Sequence, residues 1–442
     1  MTSEIIIMNR TAIAMAADSA VTFSGHSQDK IFPSAQKLFT LSNEAPVGIM
    51  VYGNASFMGV PWETIIKVYR NEKGNERFDK LEDYANDFIS YLNENQMLFP
   101  EEIQHDMFVE HLNGYLSYVK DEFFAQCQKV VHSEQRTPSE IELKNTLTNI
   151  VENQYLIWEK ANRCPGFSSE FDDKVLSEYD ELIEHTISQI FEEFPIGTDN
   201  IEKIKKIIPW LFSKYPKDIR SNSYSGIVIS GFGDKEIFPS FKSYFIEFMT
   251  FNKLKYEIDG EETVSSKSDS VIKPFAQREM VDIFMRGIDP SIFNFSISFL
   301  QEAINELCQV LSENENINLE PTKEKTLENY THNIISGYVS KMNQLQNERY
   351  ISPITNVVSM LPKDELASMA KSLINLTSFK RKISLDSETV GGPIDVAVIS
   401  KGDGFIWINR KHYFKSDLNP QFFINKYKRA YIEKEGEYVN EE

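Results

Sequence analysis

Two apolar runs lie at the very beginning of the chain and are separated by only three residues. Residues 5–8 read Ile-Ile-Ile-Met, residues 12–17 read Ala-Ile-Ala-Met-Ala-Ala, and Asn-Arg-Thr stands between them. Short apolar runs bounded by polar residues are typical of buried strands joined by a tight turn. The pattern therefore predicts a hairpin whose first strand starts almost at residue 2, so that a normally frayed terminus is held inside a sheet.

Thr2 stands at the start of that first strand, and Asp18 follows sixteen residues later at the end of the second. Lys37 comes next, in the run Lys-Leu-Phe-Thr-Leu. Removal of Met1 would give Thr2 both a hydroxyl and a free α-amine, so that nucleophile and base belong to one residue. An N-terminal threonine of this kind is an established catalyst of acyl transfer. The residues therefore predict an amide-cleaving site at the N-terminus.

In these residues the chain resembles the proteasome-like peptidases of the N-terminal nucleophile hydrolases, which include proteasome β subunits, HslV and the bacterial Anbu proteins. That family begins a strand with threonine, places an aspartate sixteen residues later in an Ala-Ala-Asp-Ser type motif, and opens the next strand with lysine. Thr2, Asp18 and Lys37 occupy those places. The stretch between Asp18 and Lys37 is longer than usual in the family, so Lys30 is a weaker candidate for the lysine.

The resemblance implies further site residues. The run 47–53, Val-Gly-Ile-Met-Val-Tyr-Gly, is similar to the strand and glycine turn whose backbone N–H lines the oxyanion hole, which assigns that role to Gly53. The family's supporting aspartate and serine align with Ser387 and Val390, and Asp386 or Glu388 substitutes after a shift of one residue. A second supporting serine is replaced by Ala276 or Gln277.

The fold that the resemblance implies is α+β, a four-layer αββα sandwich enlarged by helical insertions. Residues 226–239 resemble its central hairpin, 361–374 its late helix, and 390–399 with 404–408 its closing strands. The expected organisation is a first core part with the nucleophile strand at 1–60, a helical insertion with core helices at 61–222, core strands and a helix at 223–290, a second helical insertion at 291–360, the closing helix and strands at 361–412, and a C-terminal extension at 413–442.

The chemistry expected of Thr2 follows from elementary proton transfer. A free α-amine has a pKa of about 7.7–8.0, so part of it is neutral and accepts the hydroxyl proton at neutral pH. A lysine ammonium nearby disfavours a second cation and lowers that pKa further. Water then releases the acyl group from Thr2 with the same amine as base. A backbone N–H at Gly53 would stabilise the oxyanion.

Composition excludes several other function classes. The 442 residues include 66 acidic and 46 basic side chains, a net charge of −20, which repels the phosphate backbone of nucleic acids. No run approaches the roughly 20 apolar residues that a bilayer span needs, so no membrane partner is expected. The start lacks a basic signal region, and the three scattered cysteines show no ligand spacing, which favours the cytoplasm.

No metal and no cofactor is expected. His105, Glu110 and His111 are close in sequence, but their spacing does not match a zinc-binding helix. The expected partners are a peptide or protein substrate, further copies of the chain in a ring or other homo-oligomer, and a possible unfoldase or regulator. The alternative to a threonine peptidase is a catalytically silent scaffold that acts in assembly or partner binding. A third possible function is an amidase that acts on a small molecule, which the sequence does not distinguish from a peptidase.

Overall fold

Two five-stranded antiparallel sheets lie at the centre of the fold in the computed structural model. The structure describes residues 2–23, 30–192, 194, 196–216, 224–265, 268–312, 321–384 and 390–424. Within them the strands are β1 (Ser3–Asn9), β2 (Ile13–Ala17), β3 (Val21–Phe23), β4 (Lys30–Phe32), β5 (Leu38–Thr40), β6 (Val47–Gly53), β7 (Ser56–Phe57), β8 (Val60–Pro61), β9 (Asn162–Arg163), β10 (Lys214–Tyr215), β11 (Ser225–Gly231), β12 (Ser240–Thr250), β13 (Lys253–Thr263), β14 (Ser270–Ala276), β15 (Asp395–Ser400) and β16 (Gly404–Asn409).

The helices lie mainly in the segments between these strands. They are α1 (Trp62–Lys73), α2 (Leu81–Glu94), α3 (Glu101–Glu134), α4 (Glu140–Lys160), α5 (Ser169–Ile190), α6 (Thr198–Ser213), α7 (Glu279–Arg286), α8 (Pro290–Ser312), α9 (Pro321–Gln346), α10 (Ser352–Val358) and α11 (Lys363–Ile383), with a π-helical turn at Asn347–Ile351 and a 3₁₀ turn at Ser416–Leu418. The predicted α+β class is confirmed. No helix in the described ranges is long and apolar enough to cross a bilayer.

The first sheet has the order β14-β1-β2-β15-β16 and the second β13-β12-β11-β6-β5. Strand β1 pairs on both sides, with Ser3 opposite Ala276 of β14 and Glu4 opposite Ala17 of β2. The N-terminal strand is therefore an interior strand of its sheet, as the hairpin prediction required.

The turn between β1 and β2 is built by one asparagine. The Asn9 side-chain oxygen accepts hydrogen bonds from the backbone N–H groups of Thr11 (2.9 Å) and Ala12 (3.2 Å). Its amide nitrogen donates to the carbonyl oxygens of Val358 and Leu361, which ties the turn to the segment before α11. Side-chain bonds of this kind are the reason that asparagine favours turns.

Side chains alternate along β1, as in any strand. Ile5 and Ile7 belong to an apolar cluster with residues of α11 such as Leu373 and Ile374. Ile6 and Met8 face the other way and belong to a cluster between the two sheets, whose members include Met8, Met15, Met50, Val228 and Phe275. A third cluster joins the outer face of the second sheet to α1–α6, through residues such as Ile49, Ile227, Phe108 and Ile204.

The later core segments also form as predicted. Strands β11 and β12 pair as an antiparallel hairpin, with Ser225 opposite Ile246. Helix α11 covers the predicted late helix, and β15 pairs with β16 as the closing strands. The long stretches between them are helical, α1–α6 after the first strands and α8–α9 later.

Candidate active site

The Asp18 carboxylate is the centre of the predicted site. It follows β2, and its side chain is fully buried. One oxygen accepts hydrogen bonds from the Ser3 N–H (3.1 Å) and the Lys37 ammonium (2.7 Å), and the other from the Ala20 N–H (3.2 Å) and the Gly391 N–H (2.9 Å). One side chain thus ties the start of β1 to Lys37 and to the segment before β15.

Lys37 stands directly before β5, and its side chain is 6% exposed. Its carbonyl oxygen accepts a hydrogen bond from the Val51 N–H (2.9 Å), which fixes the backbone against β6. A buried ammonium requires a charge partner, and Asp18 provides it. Lys30, the weaker candidate, lies exposed in β4. The structure therefore brings Lys37, and not Lys30, to Asp18.

Thr2 is buried, and its carbonyl oxygen accepts a hydrogen bond from the Gln277 N–H (3.0 Å). It lines a cavity of about 330 Å³ together with Lys37 and Gly53. The remaining lining residues are Val21, Phe32, Ser34, Ala35, Gln36, Val51, Tyr52, Asn54, Ala55, Pro61, Trp62 and Glu63. Thr2, Lys37 and Gly53, the residues expected as nucleophile, lysine and oxyanion glycine, thus line one cavity.

Gly53 ends β6 in a left-handed conformation, with φ +79°. A Cβ atom there would lie 2.6 Å from the carbonyl oxygen of Tyr224, the residue before its partner strand β11. Only glycine fits this position, both for its φ and for the close backbone approach. The backbone conformation at this end of the cavity therefore requires glycine at position 53.

Of the residues near position 390 that were predicted to support the amine, the structure describes only Val390. Ser387, Asp386 and Glu388 lie outside the described residues. Val390 is buried, and its carbonyl oxygen accepts a hydrogen bond from the Ser378 hydroxyl (3.4 Å).

At the second supporting position, Ala276 has a left-handed φ of +58° and pairs with Ser3. Its neighbour Gln277 reaches Thr2 by its backbone, while its side-chain oxygen accepts a hydrogen bond from Arg381 (2.5 Å). The segment that abuts Thr2 therefore carries no side-chain hydroxyl at these two positions.

A second buried ion pair stands beside the first and was missed by the sequence reasoning. Asp395 begins β15 opposite Ala17, and its carboxylate binds both the backbone N–H (2.8 Å) and the side-chain ammonium of Lys411. Burial lowers the pKa of Lys411, the ion pair with Asp395 raises it in part, and the nearby Lys37 lowers it again. An aspartate inside an apolar strand run was the available signal, but the partner lysine could be found only from the tertiary structure.

Glu4 was also missed. Its side chain is fully buried, and neither carboxyl oxygen has a hydrogen-bond partner among the described residues. Burial raises the pKa of Glu4 well above its usual value; the Asp18 charge raises it too, while Lys37 lowers it. A glutamate at the head of an apolar strand is the sequence signal that could have identified it.

The rings of His105 and His111 contact different partners. The His111 ring is bonded to the Met107 carbonyl oxygen of its own helix (2.8 Å), and the His105 ring lies 3.3 Å from the Tyr179 hydroxyl. Over the described part of the chain, no group of three or more His, Cys, Asp or Glu residues is placed to hold a metal ion.

Comparison with known proteins returns structures alone. No family model and no curated protein matches the chain. The structural neighbours are Anbu proteins: a Gly-1 mutant from Hyphomicrobium sp. strain MC1 (8% identity, 98% of this chain and 96% of that chain, TM-score 0.27) and Anbu, described as an ancestral beta-subunit, from Yersinia bercovieri (9%, 97% and 95%, 0.25). A helical assembly of the Anbu complex from Pseudomonas aeruginosa is a third (8%, 97% and 95%, 0.27).

These neighbours belong to a group that the sequence resembles. Their TM-scores lie below 0.5 and their identities below 10%. The roles of the site residues are therefore argued only from the distances and contacts in this chain.

Proposed function

We propose that the chain is a threonine-type N-terminal nucleophile hydrolase that cleaves amide bonds through Thr2 after Met1 is removed. The observation that carries the proposal is the buried Lys37–Asp18 ion pair beside Thr2 at the wall of a cavity. Burying two charges is expensive unless geometry and hydrogen bonds are good, so such a pair at a cavity is a marker of a functional site.

The proposed reaction uses one residue as nucleophile and base. The α-amine of Thr2 accepts the hydroxyl proton while Oγ bonds to the substrate carbonyl carbon, and the amine then protonates the leaving nitrogen as the C–N bond breaks. Lys37, held by Asp18, keeps positive charge beside the amine and so favours its neutral, basic form. Water releases the acyl group by the same proton path in reverse.

The cavity favours a peptide as substrate. Its lining combines apolar side chains such as Val21, Phe32 and Trp62 with backbone at the end of β6, where Gly53 stands. About 330 Å³ lies at the lower end of the range of small-molecule pockets and can receive a side chain next to the cleaved bond. We assign the oxyanion role to the backbone at Gly53.

The proposed architecture is the four-layer αββα sandwich of the proteasome-like hydrolases, with α1–α6 on one outer face and α7, α10 and α11 on the other. The three apolar clusters, helix against sheet, sheet against sheet and sheet against helix, support it. The unbridged thiols of Cys127, Cys164 and Cys308 support work in the reducing cytoplasm.

A covalent probe tests the proposal. Protein shown by intact mass to start at Thr2 is treated with a peptide vinyl sulfone or epoxyketone, and the adduct is located by peptide mapping. We expect labelling at Thr2, loss of labelling in Thr2→Ala, retention in Thr2→Ser, and a strong reduction in Lys37→Ala. Lys30→Ala is the matched control and should label like the wild type. Absence of labelling in the correctly processed wild type by several such probes contradicts the proposal.

A catalytically silent scaffold is the second candidate. It is favoured by Ala276, whose methyl side chain stands where a supporting hydroxyl would strengthen the proton network of Thr2. Retained Met1 in all the natural material, together with no reaction of a chain trimmed to Thr2, would select this candidate.

We also propose that copies of the chain associate. Helix α8 exposes three large apolar side chains at positions that share one helix face, Ile292 (59% exposed), Phe295 (70%) and Phe299 (59%). Neighbouring exposed apolar side chains on one helix face are typical of association surfaces. Light scattering should show an oligomer for the wild type and a smaller species for Phe295→Asp. The matched variant Asp282→Asn on α7 should not change the mass, and a monomeric wild type at micromolar concentration contradicts the proposal.

A further inference from the structure

The Glu4 carboxyl is the most unusual polar group near the site. It is fully buried, neither oxygen has a hydrogen-bond partner in the described part of the chain, and its cross-strand neighbours are Ala17 and Phe275. An ionised carboxylate without a partner is among the most costly groups to bury. Such a group is therefore either protonated or paired with a cation in the functional form of the protein. A purely structural role would be served better by an apolar residue, as at Ile6.

The position of Glu4 relates it to the nucleophile. Thr2, Glu4 and Ile6 alternate with Ser3 and Ile5 along the strand, and Ile6 belongs to the cluster between the sheets. Residues two apart on a strand point the same way with their Cα atoms about 6.5–7 Å apart. Glu4 therefore stands next to Thr2 on the side that faces the second sheet, where a glutamate side chain can reach back toward the Thr2 nitrogen.

The charges around Glu4 are otherwise balanced. Lys37 is paired with Asp18, and Lys411 with Asp395. Lys37 and Asp18 act on Glu4 electrostatically, and the same two groups act on Lys411. Among the described residues, Glu4 is thus an acid without a hydrogen-bonded counter-charge. Removal of Met1 converts the non-basic peptide nitrogen of Thr2 into a basic α-amine, two residues from Glu4.

We propose that Glu4 is the positioning residue of the Thr2 amine: its carboxyl accepts an amine N–H and shares one proton with the amine once Met1 is gone. The inference rests on the proposed function in that it needs Thr2 as the processed terminus. The bond to Glu4 turns the nitrogen lone pair toward the Thr2 hydroxyl. During acyl transfer the hydroxyl proton moves to the amine and then to the leaving nitrogen, while the shared proton stays within the Glu4–amine pair.

Direct titration of the amine tests this proposal. Protein that begins at Thr2 is prepared by cleaving an N-terminal ubiquitin fusion of the chain labelled with ¹⁵N-threonine, and the α-amine pKa is read from the ¹⁵N chemical shift of the unmodified Thr2 amine over a pH series. We expect Glu4→Gln to lower the amine pKa by about one unit, because the carboxylate is lost while the acceptor oxygen is kept. Glu262→Gln, an exposed glutamate on β13, is the control and should leave the pKa unchanged.

The rate of probe labelling gives a second readout. In Glu4→Gln the acid limb of the pH–rate profile should move to lower pH by the same amount, with the maximal rate largely kept. Glu4→Leu also removes the acceptor, so its maximal rate should fall as well. An amine pKa that is the same in wild type and Glu4→Gln, both folded by circular dichroism, overturns the proposal.

The two hypotheses fail separately. The amine titration does not require catalysis, so a pKa change in a wild type that no probe labels would retain the role of Glu4 as charge partner and reject the hydrolase. Labelling of the wild type with no effect of Glu4→Gln on the amine pKa or the pH profile would do the reverse.

Discussion

The Lys37 ammonium lies 2.7 Å from the Asp18 carboxylate, and the two side chains are 6% and 0% exposed. Three backbone N–H groups, of Ser3, Ala20 and Gly391, complete the shell around the same carboxylate. The pair thereby joins the N-terminal strand, the segment before β5 and the segment before β15. These three parts are far apart in sequence, so the pair has a structural consequence as well as a chemical one.

Lys37→Met should lower the free energy of unfolding by about 3–5 kcal/mol, because it leaves a buried carboxylate without its cation. Asp18→Asn should lower it by a similar amount for the opposite reason. The double variant should lose clearly less than the sum, since it removes both charges. Urea unfolding of the four proteins measures this cycle. Additive losses would show that the two charges do not depend on each other.

Glu4 should make stability depend on pH in the form that retains Met1. Burial raises the pKa of Glu4 above its usual 4.5, so the folded state holds its proton where the unfolded chain has lost it. Its contribution is fully present below pH 4.5 and falls as pH rises toward the folded pKa, by up to about 1.4 kcal/mol per pH unit. Glu4→Gln cannot ionise and removes this dependence.

The measurement is the difference in unfolding free energy between Glu4→Gln and wild type at pH 5, 6, 7 and 8. It should become more favourable to the variant as pH rises, because the folded wild type keeps the Glu4 proton where the unfolded chain has lost it. A difference independent of pH would mean that Glu4 ionises in the folded protein as readily as in the unfolded chain.

Gly53→Ala should be more destabilising than Gly59→Ala, although both residues have nearly the same φ, +79° and +82°. Left-handed backbone costs a residue with a Cβ atom about 1–2 kcal/mol, and this applies to both. A Cβ at Gly53 also meets the Tyr224 carbonyl oxygen at 2.6 Å, whereas one at Gly59 meets nothing within 4 Å. Thermal unfolding gives the comparison, and probe labelling should fall only for Gly53→Ala. Equal losses of stability would argue against the close approach.

Two further glycines should respond with opposite sign. Gly114 lies in α3, and an added Cβ there meets nothing within 4 Å, so Gly114→Ala should stabilise by about 0.5–1 kcal/mol. Gly226 lies in β11, and its Cβ would come within 2.0 Å of the Tyr52 ring, so Gly226→Ala should destabilise. Denaturant midpoints measure both. Stabilisation by Gly226→Ala would show that Tyr52 moves aside at little cost.

Local sequence determined much of this protein. The apolar runs around Asn9 specify the first hairpin, because strand periodicity and turn chemistry act over a few residues. The helical stretches follow from the same short-range rules. The hairpin of β11 and β12 and the closing strands were expected from the family resemblance. The spacing of Thr2 and Asp18 was also readable, since it depends on the lengths of the adjacent strands β1 and β2.

The tertiary structure alone decided which groups meet. Lys30 and Lys37 were both candidates for the lysine of the site in the sequence. Only the packing of β5 against β6 brings Lys37 to Asp18. The Gly391 N–H reaches Asp18 from 373 positions away in the sequence. The Asp395–Lys411 pair and the lack of any partner for Glu4 in the described residues likewise depend on how the strands pack. Burial and electrostatic coupling are properties of the assembled sheets, so no local pattern in the sequence contains them.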